Sequence, residues 1–179
     1  MKRVFDIFFS ISALLLFGWL IVLGFLIASL ETKSNGFFKQ QRVGQYGRLF
    51  TIFKLKTIDP KSARVTFFGN YFRKYKLDEL PQFYNVLIGD MSVVGPRPDI
   101  PGYYDELTGE DRKILELKPG ITSEASLKYY NEDELLEKQQ NPIVYNDTVI
   151  FPDKVKMNLD YYHDHNFFID LKIILKTIF

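Results

Sequence analysis

From Ile7 to Leu30 the chain carries no charged side chain, and charge returns only at Glu31 and Lys33. As an α-helix such a run extends roughly 36 Å at about 1.5 Å per residue, against a bilayer core about 30 Å thick. A helix of a small soluble domain keeps polar residues on one face, so the run reads as a membrane element. It is longer than the roughly 7–15 apolar residues of a signal-peptide core, and Glu31-Thr32-Lys33 offers no small-residue cleavage pattern. Lys2 and Arg3 precede it, while Lys33, Lys39, Arg42, Arg48, Lys54 and Lys56 follow. Basic flanks face the cytoplasm, which places the body of the protein there. Basic residues at both ends suit a helix that re-enters, whereas the length suits a span. Gly18 and Gly24 weaken the helix without breaking it, and the run has no proline to impose a sharp bend.

Beyond it the period changes. Gly36 to Thr57 predicts a hairpin turning at Gly44-Gln45-Tyr46-Gly47, and the alternation in Ile52-Phe53-Lys54-Leu55-Lys56 puts Lys54 and Lys56 on one face. Asp59 to Thr66 is a polar connector, and Tyr71 to Lys76 mixes Arg73, Lys74 and Lys76 with aromatics as an interfacial helix does. From Leu77 to Ser92, Leu80, Phe83, Tyr84 and Leu87 recur at helical spacing, with Pro81 tolerable only in a first turn. Thr108-Gly109-Glu110-Asp111 predicts a capped helix through Leu117, ended by Lys118-Pro119-Gly120. Asn131 to Gln140 predicts a solvated helix. The terminal stretch predicts an amphipathic one, with Phe167, Phe168, Leu171, Ile174, Leu175 and Ile178 on its apolar side and Asp170 elsewhere.

Composition narrows the chemistry. The chain of 179 residues has 23 basic and 22 acidic side chains, so no long-range field recruits nucleic acid. The absence of cysteine excludes disulfides, thiolate nucleophiles and thiolate metal sites. With 17 Phe and 11 Tyr, aromatics extend into segments too polar to be pure core, which suits a membrane interface. His163 and His165 flank Asp164, too few ligands for a tight metal site, and are read as surface residues.

Three local arrangements could carry function. Asp78 and Glu79 fall at a predicted helix start, where unpaired N–H groups favour an ionised carboxylate and also bind phosphate; an ordinary N-cap gives the same pattern. Lys54 and Lys56 repel unless an anion lies near, although lysines on a solvated strand edge are common. Arg97 sits between two prolines in Gly95-Pro96-Arg97-Pro98, set to meet a phosphate or an internal carboxylate.

The motifs come in an order. Lys2-Arg3-Val4-Phe5-Asp6, Phe38-Lys39-Gln40-Gln41-Arg42-Val43-Gly44, Phe53-Lys54-Leu55-Lys56-Thr57 and Leu77-Asp78-Glu79-Leu80-Pro81-Gln82 come first. Gly89-Asp90-Met91-Ser92, Gly95-Pro96-Arg97-Pro98 and Lys118-Pro119-Gly120-Ile121-Thr122 follow. Together they resemble the monotopic phosphoglycosyl transferases, the bacterial sugar transferase family, in its minimal catalytic form. The resemblance implies transfer of a phospho-sugar from a UDP-sugar to polyprenyl (undecaprenyl) phosphate, with release of UMP, at the cytoplasmic face of the bacterial inner membrane. It maps the family's catalytic Asp-Glu pair onto Asp78 and Glu79. Asp78 is then the nucleophile and a Mg²⁺ contact, and Glu79 assists. Lys54, Lys56 and Arg97 become candidates for diphosphate or uridine contacts, the lipid bilayer a partner, and downstream glycosyltransferases further partners.

Two departures stand out. The family's helix bends at a Ser-Pro pair where this chain reads Phe17-Gly18-Trp19-Leu20, and Ser123 to Asn131 replaces a Gly-Trp-Ala and Asn-Gly-Arg pattern, which leaves the sugar unassigned. The implied fold is a small α/β domain with a membrane helix over 1–33, expected to re-enter, a catalytic domain over 34–179, and amphipathic interfacial helices. The rivals are a non-catalytic, membrane-anchored binder of nucleotide sugar or assembly enzymes, and a transferase that moves the sugar alone and releases UDP.

Overall fold

The computed structural model describes residues 1–179. Its elements are α1 (Lys2–Thr32), β1 (Phe37–Val43), β2 (Leu49–Leu55), α2 (Phe67–Lys74), α3 (Gln82–Ile88), β3 (Ser92–Val94) and β4 (Gly120–Thr122), followed by α4 (Glu124–Lys128), α5 (Glu132–Glu137), α6 (Pro142–Tyr145), α7 (Phe151–Asp164) and α8 (Phe167–Ile178). Helices and short sheets mix as the α/β reading requires. Backbone packing divides the chain into two units, Met1–Arg42 with Leu49–Val93, and Val43–Arg48 with Val94–Phe179.

In the first unit α1 is long and apolar enough to cross a membrane. Its faces are inverted relative to a soluble helix. Asp6, Ser10, Ala13, Gly24, Ala28 and Thr32, at helical spacing, are buried against the unit, whereas Leu15, Leu16, Trp19, Val22, Leu23, Leu26 and Leu30 are exposed. An exposed apolar stripe of this length is unfavourable in water and suits hydrocarbon. The helix runs without interruption through Phe17-Gly18-Trp19-Leu20 and ends on Lys33, whose left-handed φ of 47° turns the chain toward the hairpin. Gly36 enters that hairpin so close to α1 that a Cβ there would lie 2.3 Å from the Phe25 carbonyl oxygen.

The hairpin forms where predicted, β1 and β2 flanking a tight turn at Gln45–Gly47, but burial along β2 does not follow the predicted alternation: Ile52 and Leu55 are the buried residues, and the strand ends before Lys56. Asp59 nucleates the connector by accepting from Lys61 N–H and Ser62 Oγ, and Ile58 bridges Val65. Helix α2 starts earlier than its aromatic pattern indicates, because the Thr66 hydroxyl caps Gly69 N–H. It buries Phe72 and exposes Phe67, Phe68 and Tyr71. The unit's core gathers Ile52, Leu55, Phe72, Val86, Met91 and Val93.

The second unit closes around Val43, Tyr104, Ile114, Leu115 and Val155. Residues Asp111–Glu116 form a 3₁₀ helix rather than the predicted capped α-helix; Gly109 takes φ +61° and no side chain caps the start. Pro142 to Asp164 is helical throughout, widened at Asn146–Ile150 into a π turn just before Pro152, which has no N–H to give an i−4 bond. Helix α5 is solvated as predicted. Helix α8 corrects the predicted faces: Asp170 is buried with Ile173 and Ile174, because the Tyr161 hydroxyl donates to its carboxylate. Phe167, Phe168, Leu171, Leu175 and Ile178 remain exposed.

Candidate active site

The chain leaves α2 through Lys76, at φ 55°, and makes one 3₁₀ turn over Leu77–Glu79 before α3. Pro81 is the N-cap of α3 rather than a residue of its first turn. Asp78 and Glu79 therefore lie upstream of the helix, not within its N-terminal turn as the sequence pattern suggests. Both are buried, at 8% and 9% exposure.

Burial of two adjacent carboxylates is costly unless something offsets their charge. For Glu79 the offset is Lys54, whose Nζ lies 2.8 Å from Oε1. Asp78 has no such contact, and its Oδ1 is buried without a hydrogen-bond partner. Desolvation first, and the Glu79 charge second, push the Asp78 carboxyl up to about 6, against the pull of Lys54. The result is one carboxylate engaged by a cation and one held in a poorly solvated position, an arrangement that makes the pair a candidate functional site.

The predicted contacts separate on inspection. Lys54 belongs to the carboxylate pair. Lys56, past the end of β2, donates to the Ser34 hydroxyl at 2.8 Å, beside the C-terminal end of α1, where a cation also complements the helix dipole. Arg97 is exposed in the second unit. Its loop is braced locally: Gly95 N–H donates to Thr122 O at 3.0 Å and Gly120 N–H to Pro96 O at 2.8 Å. A Cβ on Gly120 would lie 2.1 Å from Gly95 N, so the two glycines permit a backbone approach that no other residue allows. Arg97 rims a shallow depression with Gly44, Pro98 and Tyr104. His163 and His165 lie at the surface, His165 Nδ1 against Tyr162 O at 2.8 Å.

Sequence patterns missed Asn85. Fully buried, it donates from Nδ2 to Thr51 O at 2.8 Å and accepts at Oδ1 from Phe53 N–H at 3.2 Å. Its carbonyl accepts from the N–H groups of Gly89, Asp90 and Met91. One side chain thus ties β2, which carries Lys54, to α3, which follows the carboxylates. A polar residue beside Val86 inside a helical apolar stripe was the available signal. Gln82 is buried likewise, so α3 turns Gln82, Asn85 and Val86 inward and leaves the predicted face residue Tyr84 exposed.

A small α/β protein with a long apolar helix, buried paired carboxylates and an engaged lysine is the type of molecule these features define. The family comparison specifies it: the profile of the bacterial sugar transferases matches residues 1–179. The chain belongs to that family. It is 32% identical to an "uncharacterized sugar transferase EpsL" of Bacillus subtilis (strain 168), covering 99% of this chain and 85% of that one. It is 32% identical to galactosyl transferase CpsE of Streptococcus agalactiae serotype III (strain NEM316), covering 99% of this chain and 41% of the other. It is 30% identical to a UDP-glucose:undecaprenyl-phosphate glucose-1-phosphate transferase of Escherichia coli (strain K12), covering 100% of this chain and 39% of the other. The chain thus spans most of EpsL and about two-fifths of the latter two relatives.

Proposed function

We propose that the protein is a phosphoglycosyl transferase that moves a phospho-sugar from a UDP-sugar to undecaprenyl phosphate. The observation that carries the reading is the buried Asp78–Glu79 pair, in which Glu79 is held by Lys54 and Asp78 Oδ1 has no partner. Family membership and the substrates named for the Escherichia coli relative support the same reaction class.

In this mechanism an Asp78 carboxylate oxygen attacks the β-phosphorus of the UDP-sugar. The bond from that phosphorus to the bridging oxygen breaks, UMP leaves with the oxygen, and the phospho-sugar remains as an acyl phosphate on Asp78. A phosphate oxygen of the lipid then attacks the same phosphorus, returning the Asp78 carboxylate and giving the polyprenyl diphospho-sugar. A carboxylate attacks a charged diphosphate poorly, so the site must neutralise charge first. Mg²⁺, a hard cation that takes oxygen ligands and completes its shell with water and phosphate, is the ion that a single carboxylate beside a diphosphate would suit. Asp78, with its unpartnered oxygen, would hold it, and the ion would offset charge on the transferring phosphoryl group. Glu79 assists by positioning or proton transfer, and Lys56 and Arg97 are the proposed diphosphate or uridine contacts.

The setting is a cytoplasmic membrane face. The basic flanks of α1 support that side. Both ends of α1 also bind the same unit, Arg3 through α3 carbonyls and Glu31 through Phe68 N–H of α2. That supports a helix that enters the bilayer from one side and leaves on it.

The decisive experiment mixes enzyme, UDP-sugar and Mg²⁺ without lipid. A burst of UMP limited by the enzyme, with a phospho-sugar adduct on the peptide containing Asp78 and none with Asp78→Asn, is the expected result. UMP appearing only when undecaprenyl phosphate is added would replace the two-step mechanism with direct attack by the lipid. UDP as product would make the protein a simple sugar transferase, and no turnover a binding protein.

A further inference from the structure

Lys54 is a mostly buried candidate cation with a carboxylate partner, and its geometry assigns it a narrower task than binding substrate. Its side chain is 18% exposed and that of Glu79 10%, with 2.8 Å between Nζ and Oε1. Asn85 bonds to β2 at Thr51 and Phe53, directly before Lys54, so the strand cannot slide relative to the segment carrying the carboxylates without breaking those bonds. The backbone that carries the ammonium is therefore held in register with the segment that carries Glu79. Were Lys54 to leave for a phosphate, it would strand a buried carboxylate beside a second one, and an uncompensated buried charge is strongly destabilising.

We propose that Lys54 is a positioning residue whose ammonium holds Glu79, with Asn85 setting the register, so that Asp78 keeps an unpartnered oxygen for the reaction. The inference rests on the reading of Asp78 and Glu79 as the reacting pair. Lys56 and Arg97 then remain the candidates for the nucleotide sugar. The two lysines that share a strand face in the sequence divide, Lys54 serving the protein's own carboxylate.

The test is a double-mutant cycle on the full chain in lipid, with Lys54→Met, Glu79→Gln, the pair combined, and Lys54→Arg. Both rates and melting temperatures are measured. Lys54→Met should lower kcat about tenfold or more while KM for the UDP-sugar moves less than about twofold. The combined variant should be no slower than the slower single one, and Lys54→Arg should recover most of kcat. In melts, Lys54→Met should lower Tm and adding Glu79→Gln should raise it again, because the second change removes the stranded charge. A KM rise of about tenfold that persists at the same size in the Glu79→Gln background would overturn the inference and make Lys54 a substrate contact. Additive losses in Tm would overturn it as well. The melts need no turnover, so a wild-type protein that uses no UDP-sugar would defeat the functional reading while the pairing was still decided.

Discussion

The carboxylate of Asp6 accepts a hydrogen bond from the hydroxyl of Ser92 at 3.0 Å, both groups buried. The same oxygen accepts from Val93 N–H at 3.0 Å, and one turn earlier Arg3 donates to the carbonyls of Val86 at 2.5 Å and Leu87 at 2.7 Å. A cation there satisfies terminal carbonyls of α3 and complements its dipole. The start of the apolar helix is thus part of the frame around the candidate site.

Asp6→Ala leaves the Ser92 hydroxyl and Val93 N–H buried without their acceptor, at a cost of about 1–3 kcal/mol for each group. The variant should melt well below wild type yet still sediment with membranes, since the apolar stripe is untouched. Arg3→Ala should behave likewise. Melting curves and membrane fractionation check both, and unchanged melting for both variants would show that the helix start contributes nothing to the frame.

Asp78 should show its burial in the pH dependence of stability. Its folded-state value, about 6, lies above the ordinary 3.8, so the folded protein holds this proton more tightly than the unfolded chain. The group therefore destabilises the fold increasingly as pH rises from about 4 to 6, by up to about 3 kcal/mol at neutrality. Asp78→Asn removes that cost while keeping the side chain's size, so it should melt above wild type at pH 7.5 and lose the advantage near pH 4. The rate of UMP release by wild type should fall as pH drops through about 6, because the ionised form is the nucleophile. A bound cation would move that limb to lower pH.

Lys56→Ala and Arg97→Ala test the proposed substrate contacts. Losing one charge-assisted bond costs about 1.5–3 kcal/mol, equivalent to a rise of about tenfold to a hundredfold in KM for the UDP-sugar if the contact binds ground and transition states equally. Steady-state kinetics decide it, and unchanged kinetics would leave Lys56 as the partner of Ser34 alone.

The absence of cysteine makes the topology of α1 directly measurable. Single cysteines at positions 2 and 35 should both resist a membrane-impermeant thiol reagent in intact cells and both react after lysis. Labelling at position 2 alone in intact cells would establish a span.

Local pattern was enough for the elements whose signal is periodic or punctuated: the apolar helix from its length, the hairpin from its turn at Gly44 to Gly47, the terminal helix from its amphipathic spacing. The order of motifs likewise led to the family. Tertiary structure alone decided which polar side chains go inside, because each is set by a partner far along the chain. Asn85 is buried because two backbone groups of β2 satisfy it, Asp170 because Tyr161 reaches it, and Asp6 because Ser92 and Val93 bind it. The division of the two lysines follows the same rule: strand periodicity places Lys54 and Lys56 on one face, but only the fold brings Glu79 to one and Ser34 to the other. Periodicity reports the average polarity of a face, whereas the cost of burying a charge is settled group by group, by the partner the fold supplies.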